Sequence, residues 1–400
     1  MTAESQFSKS RLERMRRVLE SYVERGEVAG VVTLLERRGE THSSAFGYKG
    51  IERREPIGTD TLFRIASMTK PITAVAALIL VEECRLRLDD PVDALLPELA
   101  NRRVLKRIDA PLDETEPARR PVTLRDLLTF RLGYGLLVGP QDRYPIQKEA
   151  IRLAIGGLKP RTPYTPDEWL RRFATLPLMY QPGERWLYHM GSDVLGVLIA
   201  RASGQPFETF LRERIFEPLG MRDTSFTVPP EKLDRLSSCY ELDSRTGRLR
   251  LYDEARESQW SQPPPFPSGG GGLVATLPDY LAFGRMMLHQ GRYAGGRILA
   301  RTTVEAMTTD QISPGQKAVS DFFPGFWDNA GWGLGVSMIR HRDSGSASPG
   351  QFGWSGAYGT MWVSDPREEL VAILMIQRLG LGPTAINSDF LTLAYQSFAD

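Results

Sequence analysis

The chain has 400 residues, 41% of them hydrophobic and 25% charged, with 37 glycines and 28 prolines. This composition excludes a disordered chain, a collagen-like fibre and a small disulfide scaffold. With 50 basic and 49 acidic residues the formal net charge is +1, so no global field recruits nucleic acid, and a small, roughly neutral ligand is expected.

The polar start, Met1 to Lys9, has no apolar signal-peptide core, and no apolar run reaches the eighteen or so residues of a membrane span. A cytoplasmic chain without a membrane partner is the expectation. Leu12, Met15, Val18, Leu19, Tyr22 and Val23 recur at helical spacing, so residues 10–25 are predicted to form a helix ending near Gly26. Residues 30–36, a turn at Arg38-Gly39 and residues 41–48 read as an antiparallel hairpin. Cys84 and Cys239 lie too far apart in sequence for a metal cluster and read as reduced, packed thiols.

From about 71 to 260 helical periodicity, proline and charge dominate, as in Asp193 to Ala200 before Gly204. The basic stretch 102–120 is offset by Asp109, Asp113, Glu114 and Glu116 and reads as a solvated loop. Pro263 to Pro267 followed by Gly269 to Gly272 is either a linker or the wall of a cleft. Residues 359–364, a turn at Asp365-Pro366 and residues 370–376 read as a second hairpin, followed by a helix from about Thr384. Length suggests more than one packing unit. The pattern places an α/β unit at residues 1–72 and 261–400, with a mainly helical insertion over 73–260.

Several chemistries fail on spacing. His42, His189, His289 and His341 never fall at metal-ligand intervals, so no metal is expected, and His189 reads as structural. Gly353-Trp354-Ser355-Gly356-Ala357 is not a G-x-S-x-G elbow. Gly331-Trp332-Gly333-Leu334-Gly335 lacks dinucleotide spacing and no P-loop occurs, so no cofactor is expected. Ser67-Met68-Thr69-Lys70-Pro71 remains, followed by the apolar run Ile72 to Val81. Proline is tolerated only in a helix's first turn, which puts Ser67 at a helix start with Lys70 on the same face. A lysine in a partly desolvated cleft can activate a serine. A capping serine with a surface lysine is the bland alternative.

Ser67 to Lys70 resembles the first motif of the serine β-lactamase, penicillin-binding protein and esterase superfamily. Leu88 to Val92, Thr123 to Thr129, Gln181-Pro182-Gly183, Pro218 to Thr224 and Gly269 to Leu273 are similar to the class C β-lactamase-related branch that holds the family VIII carboxylesterases. They run in that branch's order, and the resemblance covers residues 10 to 378.

The resemblance implies an α+β fold, an antiparallel sheet flanked by helices with an inserted helical domain and the cleft between. It implies a serine hydrolase acting on a small-molecule ester through a Ser67 acyl-enzyme. Tyr188 would serve as base for Ser67 beside Lys70 and then as acid for the leaving group. Asparagine of the second motif, Y-x-N, is replaced by Met190. Asp193 would give a supporting hydrogen bond, or cap its helix. Trp354-Ser355-Gly356 stands where β-lactamases carry K-T-G, which favours uncharged esters over lactams. Gly356 would let substrate approach the backbone, and the Ser67 and Ala357 amides would form the oxyanion hole. Phe130-Arg131-Leu132-Gly133 departs from the usual H-T-S-G, and Arg131 and Tyr134 are expected at the pocket mouth. Loops 131–170 and 240–270 are expected to shape the pocket. A weak β-lactamase, a D-amino-acid amidase or peptidase, an acyltransferase and a non-catalytic binding module are the competing readings.

Overall fold

The computed structural model describes residues 5–155, 162–320, 322–342, 346–380 and 384–399. Residues 1–4 of the polar start and 156–161 of the predicted pocket loop lie outside them. Helix α1 (Lys9–Glu24) buries Met15, Leu19 and Tyr22. Strands β1 (Gly30–Arg37) and β2 (Glu40–Gly50) pair antiparallel with Arg37 opposite Glu40. The two residues between them, Arg38 at φ 48° and Gly39 at φ 85°, both adopt the left-handed backbone that the tightest hairpin turn requires.

After the short β3 (Glu55–Pro56) comes helix α2 (Thr69–Glu82), buried from Thr69 through Leu80. Helix α3 (Met190–Ser203) stops at Gly204, which takes a left-handed φ of 71°. Helix α4 (Leu277–Leu288) is capped by the Thr276 side chain, which accepts from the Asp279 N–H. Strands β4 (Ala330–Trp332), β5 (Ser337–Ile339), β6 (Phe352–Ser355), β7 (Met361–Asp365) and β8 (Leu370–Met375) precede the last helix, α5 (Ala385–Gln396).

Eight strands form one antiparallel sheet in the order β4-β5-β6-β7-β8-β1-β2-β3, so the two ends of the chain meet at the β8–β1 pair. Both strands are buried throughout because helices cover both faces. Alternation sorts their side chains. Val31, Leu35, Ala372 and Leu374 pack with Met15, Leu19, Ile386 and Phe390 of α1 and α5. Val32, Leu34, Val371 and Ile373 face α2 and α4. On that face a Cβ at Gly284 would sit 2.7 Å from the Trp362 indole nitrogen, so glycine lets α4 approach the sheet.

The intervening segment is largely loop, its regular elements mostly helices, and it continues the same apolar cluster through α2 and α3 to Trp169 and Phe173. It also holds two small sheets without a helical or alternating signature. Arg103–Leu105 pairs with Thr115–Pro117, and Cys239–Leu242 pairs with Leu249–Asp253 and, in parallel, with Arg378–Leu379. Cys239 is buried, whereas Cys84 is exposed rather than packed, because it takes a left-handed φ of 58° just beyond α2. Among the described residues no helix is long and apolar enough to cross a membrane.

Candidate active site

Ser67 sits on a single 3-10 turn, Ala66–Met68, that runs directly into α2. The turn is strained: Ala66 adopts φ 43°, a conformation alanine takes only when its surroundings impose it. Those surroundings are the Ile65 N–H donating to Leu273 O at 3.1 Å, the Thr360 hydroxyl donating to Ile65 O at 3.2 Å, and the Tyr280 hydroxyl donating to Met68 O at 2.8 Å. One helical turn on, the Lys70 Nζ donates to Ser67 Oγ at 2.9 Å and to Gly270 O at 2.5 Å.

Tyr188 is brought to this pair by an extended segment. The Trp186 N–H donates to the Ser320 hydroxyl, the Leu187 N–H to Phe130 O, and Tyr188 O accepts from the Leu136 N–H. Its ring packs against Trp186 and Phe130, and the Lys70 Nζ lies 4.6 Å from the ring centroid. The phenol oxygen accepts from Trp354 Nε1 at 2.6 Å, and the neighbouring Ser67 hydroxyl favours its charged form. The structure therefore brings Ser67, Lys70, Tyr188 and Trp354 together.

Burial sets the protonation states. It lowers Lys70 to about 7, against a smaller upward pull from the Asp193 carboxylate. Burial also pushes the Tyr188 phenol up, and Ser67 and Trp354 only partly offset this. The amine rather than the phenol is the group that can be neutral and basic near pH 7.

His189 begins α3 at φ 91°, well outside the backbone range of an ordinary histidine. This turn places its Nδ1 3.0 Å from Lys70 Nζ. On the far side of the ring, Nε2 lies 3.2 Å from Asp193 Oδ2. Asp193 Oδ1 accepts from the Ser268 hydroxyl at 2.6 Å and the Gly270 N–H at 2.9 Å. Asp193 therefore reaches Lys70 through His189 and Gly270 and does not cap α3. Burial alone would raise its carboxyl, and these contacts outweigh it, leaving the group below its ordinary value. Burial and the Lys70 charge hold the His189 imidazole down. Their shared spacing of four residues at a helix start was the signal in the sequence. Met190 is buried in the apolar core.

Of the two readings of the stretch 263–272, the wall of a cleft holds: Pro263 to Phe266, Ser268 and Gly272 line a small pocket. A Cβ at Gly270 would come within 2.9 Å of His189 Cε1 and 3.0 Å of Asp193 Oδ1, so the glycine lets its carbonyl reach Lys70. Gly356 has a similar role. A Cβ there would overlap Ile65 O and the Thr360 hydroxyl, so the glycine seats the strand end against the Ser67 turn. It borders the cleft together with Ser67, Trp354 and Ala357.

The cleft encloses about 530 Å³ and is walled by Leu136, Leu137, Phe322, Phe323, Phe326 and Trp354. Among its described lining residues Arg378 is the one ionised side chain. Two expected lining residues are elsewhere. Tyr134 is buried in the main core, edge-on to Phe173 at 5.1 Å, because the turn at Gly133 directs it inwards. Arg131 turns away as well: its Nε donates to the Thr129 hydroxyl at 2.9 Å. The mouth is formed instead by Leu136 to Gly139 and Gln141.

The profile of the Beta-lactamase family matches residues 15–396. The chain belongs to the Beta-lactamase family. Among family relatives, Protein Rv1367c of Mycobacterium tuberculosis is 39% identical over 360 residues, covering 88% of this chain and 86% of that one. Esterase EstB of Burkholderia gladioli is 32% identical over 397 residues, covering 94% and 92%. Among solved structures, EstCE1, a hydrolase with promiscuous acyltransferase activity, superposes with a TM-score of 0.81 at 23% identity, covering 96% and 98%. This family member thus has a beta-lactamase-like hydrolase fold and an esterase among its relatives.

Proposed function

We propose that this chain is a serine carboxylesterase that hydrolyses small, uncharged, short-chain esters through an acyl-enzyme on Ser67. One observation carries the reading: the Lys70 amine lies 2.9 Å from Ser67 Oγ at the edge of an aromatic cleft that Tyr188 also lines. The esterase relative supports the same class of reaction.

In acylation the neutral Lys70 amine takes the Ser67 proton as Oγ bonds to the ester carbonyl carbon. The backbone N–H groups of Ser67 and Ala357 hold the oxyanion. The Tyr188 phenol, kept protonated by burial, gives its proton to the departing alkoxide. In deacylation a water gives its proton to the Tyr188 phenolate and attacks the acyl carbon, and Lys70 returns its proton to Ser67 as the acid is released. Tyr188 is therefore the acid of the first step, and the first proton goes to the lysine, the reverse of the order read from the resemblance. Trp354 lines the cleft with an indole and offers no cation to a substrate carboxylate, which favours uncharged esters over lactams.

Intact-protein mass spectrometry after a fluorophosphonate probe, with turnover of p-nitrophenyl butyrate and nitrocefin, tests this reading. One adduct on wild type, none on Ser67→Ala, and a preference for the ester are expected. No adduct and no turnover in folded wild type, or faster turnover of nitrocefin, would overturn it.

A further inference from the structure

The Lys70 amine has three polar neighbours besides its own chain: Ser67 Oγ at 2.9 Å, His189 Nδ1 at 3.0 Å and Gly270 O at 2.5 Å. They equal in number the three hydrogens that a tetrahedral ammonium can donate. A carbonyl oxygen can only accept, so Gly270 takes one N–H. An imidazole nitrogen can do either, and its far side decides. Nε2 lies 3.2 Å from a buried carboxylate, which accepts only, so Nε2 carries the ring proton and Nδ1 is left with its lone pair.

We propose that His189 is a positioning residue for ester hydrolysis: it takes a second N–H of Lys70, so that the lone pair of the neutral amine points at Ser67 Oγ and nowhere else. The inference rests on the reading of Ser67 as nucleophile and Lys70 as its base. Two states follow. As an ammonium, Lys70 donates to all three neighbours, and the Ser67 hydroxyl proton is directed at Tyr188. As a neutral amine, Lys70 keeps its bonds to His189 and Gly270 and receives the Ser67 proton. The switch needs no movement of heavy atoms.

Three features beyond the distances fit this role. The φ of 91° at His189 is a strained turn, and it is what carries the ring to Lys70. Asp193, four residues on, holds the ring and at the same time binds the Gly270 N–H, so one carboxylate positions both acceptors of the amine. Gly270 is packed too closely on the imidazole for any larger residue. The charged and titratable groups facing His189 are Lys70 from α2 and Asp193 and Tyr188 from its own segment, and the loop 268–272 contributes only neutral atoms.

The test combines kinetics with a spectroscopic readout. In 15N NMR of the folded wild type at neutral pH, assigned by difference against His189→Asn, the His189 ring is expected to show a protonated Nε2 and an unprotonated Nδ1. His189→Asn keeps an oxygen near the Nδ1 position and is expected to hold kcat for p-nitrophenyl butyrate within about threefold of wild type, by the usual tolerance for a replaced neutral hydrogen bond. His189→Leu removes the acceptor and excludes water. It is expected to lower kcat at least tenfold with KM little changed, and to move the acid limb of the kcat/KM profile down by about one pH unit, since the ammonium loses a hydrogen bond. A protonated Nδ1, or a Leu variant with wild-type kcat and an unmoved acid limb, would overturn the proposal. If the Leu variant does not fold, the tautomer and the Asn variant decide. Fluorophosphonate labelling of wild type that persists in Ser67→Ala would instead overturn the underlying reading of the nucleophile, whatever His189 does.

Discussion

The Trp354 indole N–H donates to the Tyr188 phenol oxygen over 2.6 Å, joining the end of β6 to the segment that precedes α3. When Tyr188 releases its proton, this donor faces a developing phenolate, and a hydrogen bond to a charged group is worth about 1.5–3 kcal/mol. Trp354→Phe keeps the ring and removes the donor. Steady-state kinetics on p-nitrophenyl butyrate are expected to show kcat lowered about ten- to a hundredfold. An unchanged kcat would remove Trp354 from the chemistry.

Lys70 ties both activity and stability to pH, in the same direction but over adjoining ranges. With the folded-state pKa near 7 and the amine required neutral, kcat/KM should rise with pH and level off above about 7. The folded pKa lies below the unfolded value, so between about 7 and 10.5 the unfolded chain binds more protons and stability rises with pH. Lys70→Met removes this dependence. Scanning calorimetry from pH 7 to 10 should show the wild-type Tm climbing relative to that of Lys70→Met. Parallel curves would mean that the amine is protonated in the fold.

Gly356→Ala places a methyl against Ile65 O and the Thr360 hydroxyl, both fixed by the turn that carries Ser67. Overpacking of this kind costs about 1–3 kcal/mol. A lower urea midpoint together with slower fluorophosphonate labelling of Ser67 is expected. A fall in the midpoint with unchanged labelling would show that the strand end and the turn are not coupled.

Arg64, fully buried just ahead of that turn, donates through Nε to Asp253 at 2.7 Å and through Nη1 to Ser237 O at 2.5 Å. Asp253→Ala leaves a buried guanidinium without its counter-charge, a loss of about 3–5 kcal/mol. Chemical denaturation should find at least half of that loss, and a change below 1 kcal/mol would mean that water reaches the site.

The hairpins were legible as short apolar runs on either side of a tight turn, and α1 because it buries every third or fourth residue. The small sheet around Cys239 was not, since its strands are short and its third partner is Arg378, far along the chain. Ser67, Lys70 and Tyr188 were legible through spacing and resemblance. Tyr134 was misread because the turn at Gly133 decides which residues of that loop face inwards, and the next residues along, Leu136 and Leu137, reach the cleft. The contact of His189 with Lys70 was not legible for a comparable reason. Its partner is 119 residues away, and only the left-handed turn that opens α3 brings the two side chains together.

The strained turn around Ser67 is fastened by Leu273, Thr360 and Tyr280, which belong to a glycine-rich loop, the edge of the sheet and a core helix. Each of the three hydrogen-bonds a buried backbone group of the turn, so none can let go without weakening what holds it. The Ser67 turn therefore has no melting point of its own. Warming should not produce a folded but idle form, and the curve of lost activity should lie on the curve of lost structure, so that a simple ester assay reports how much of the protein is still native.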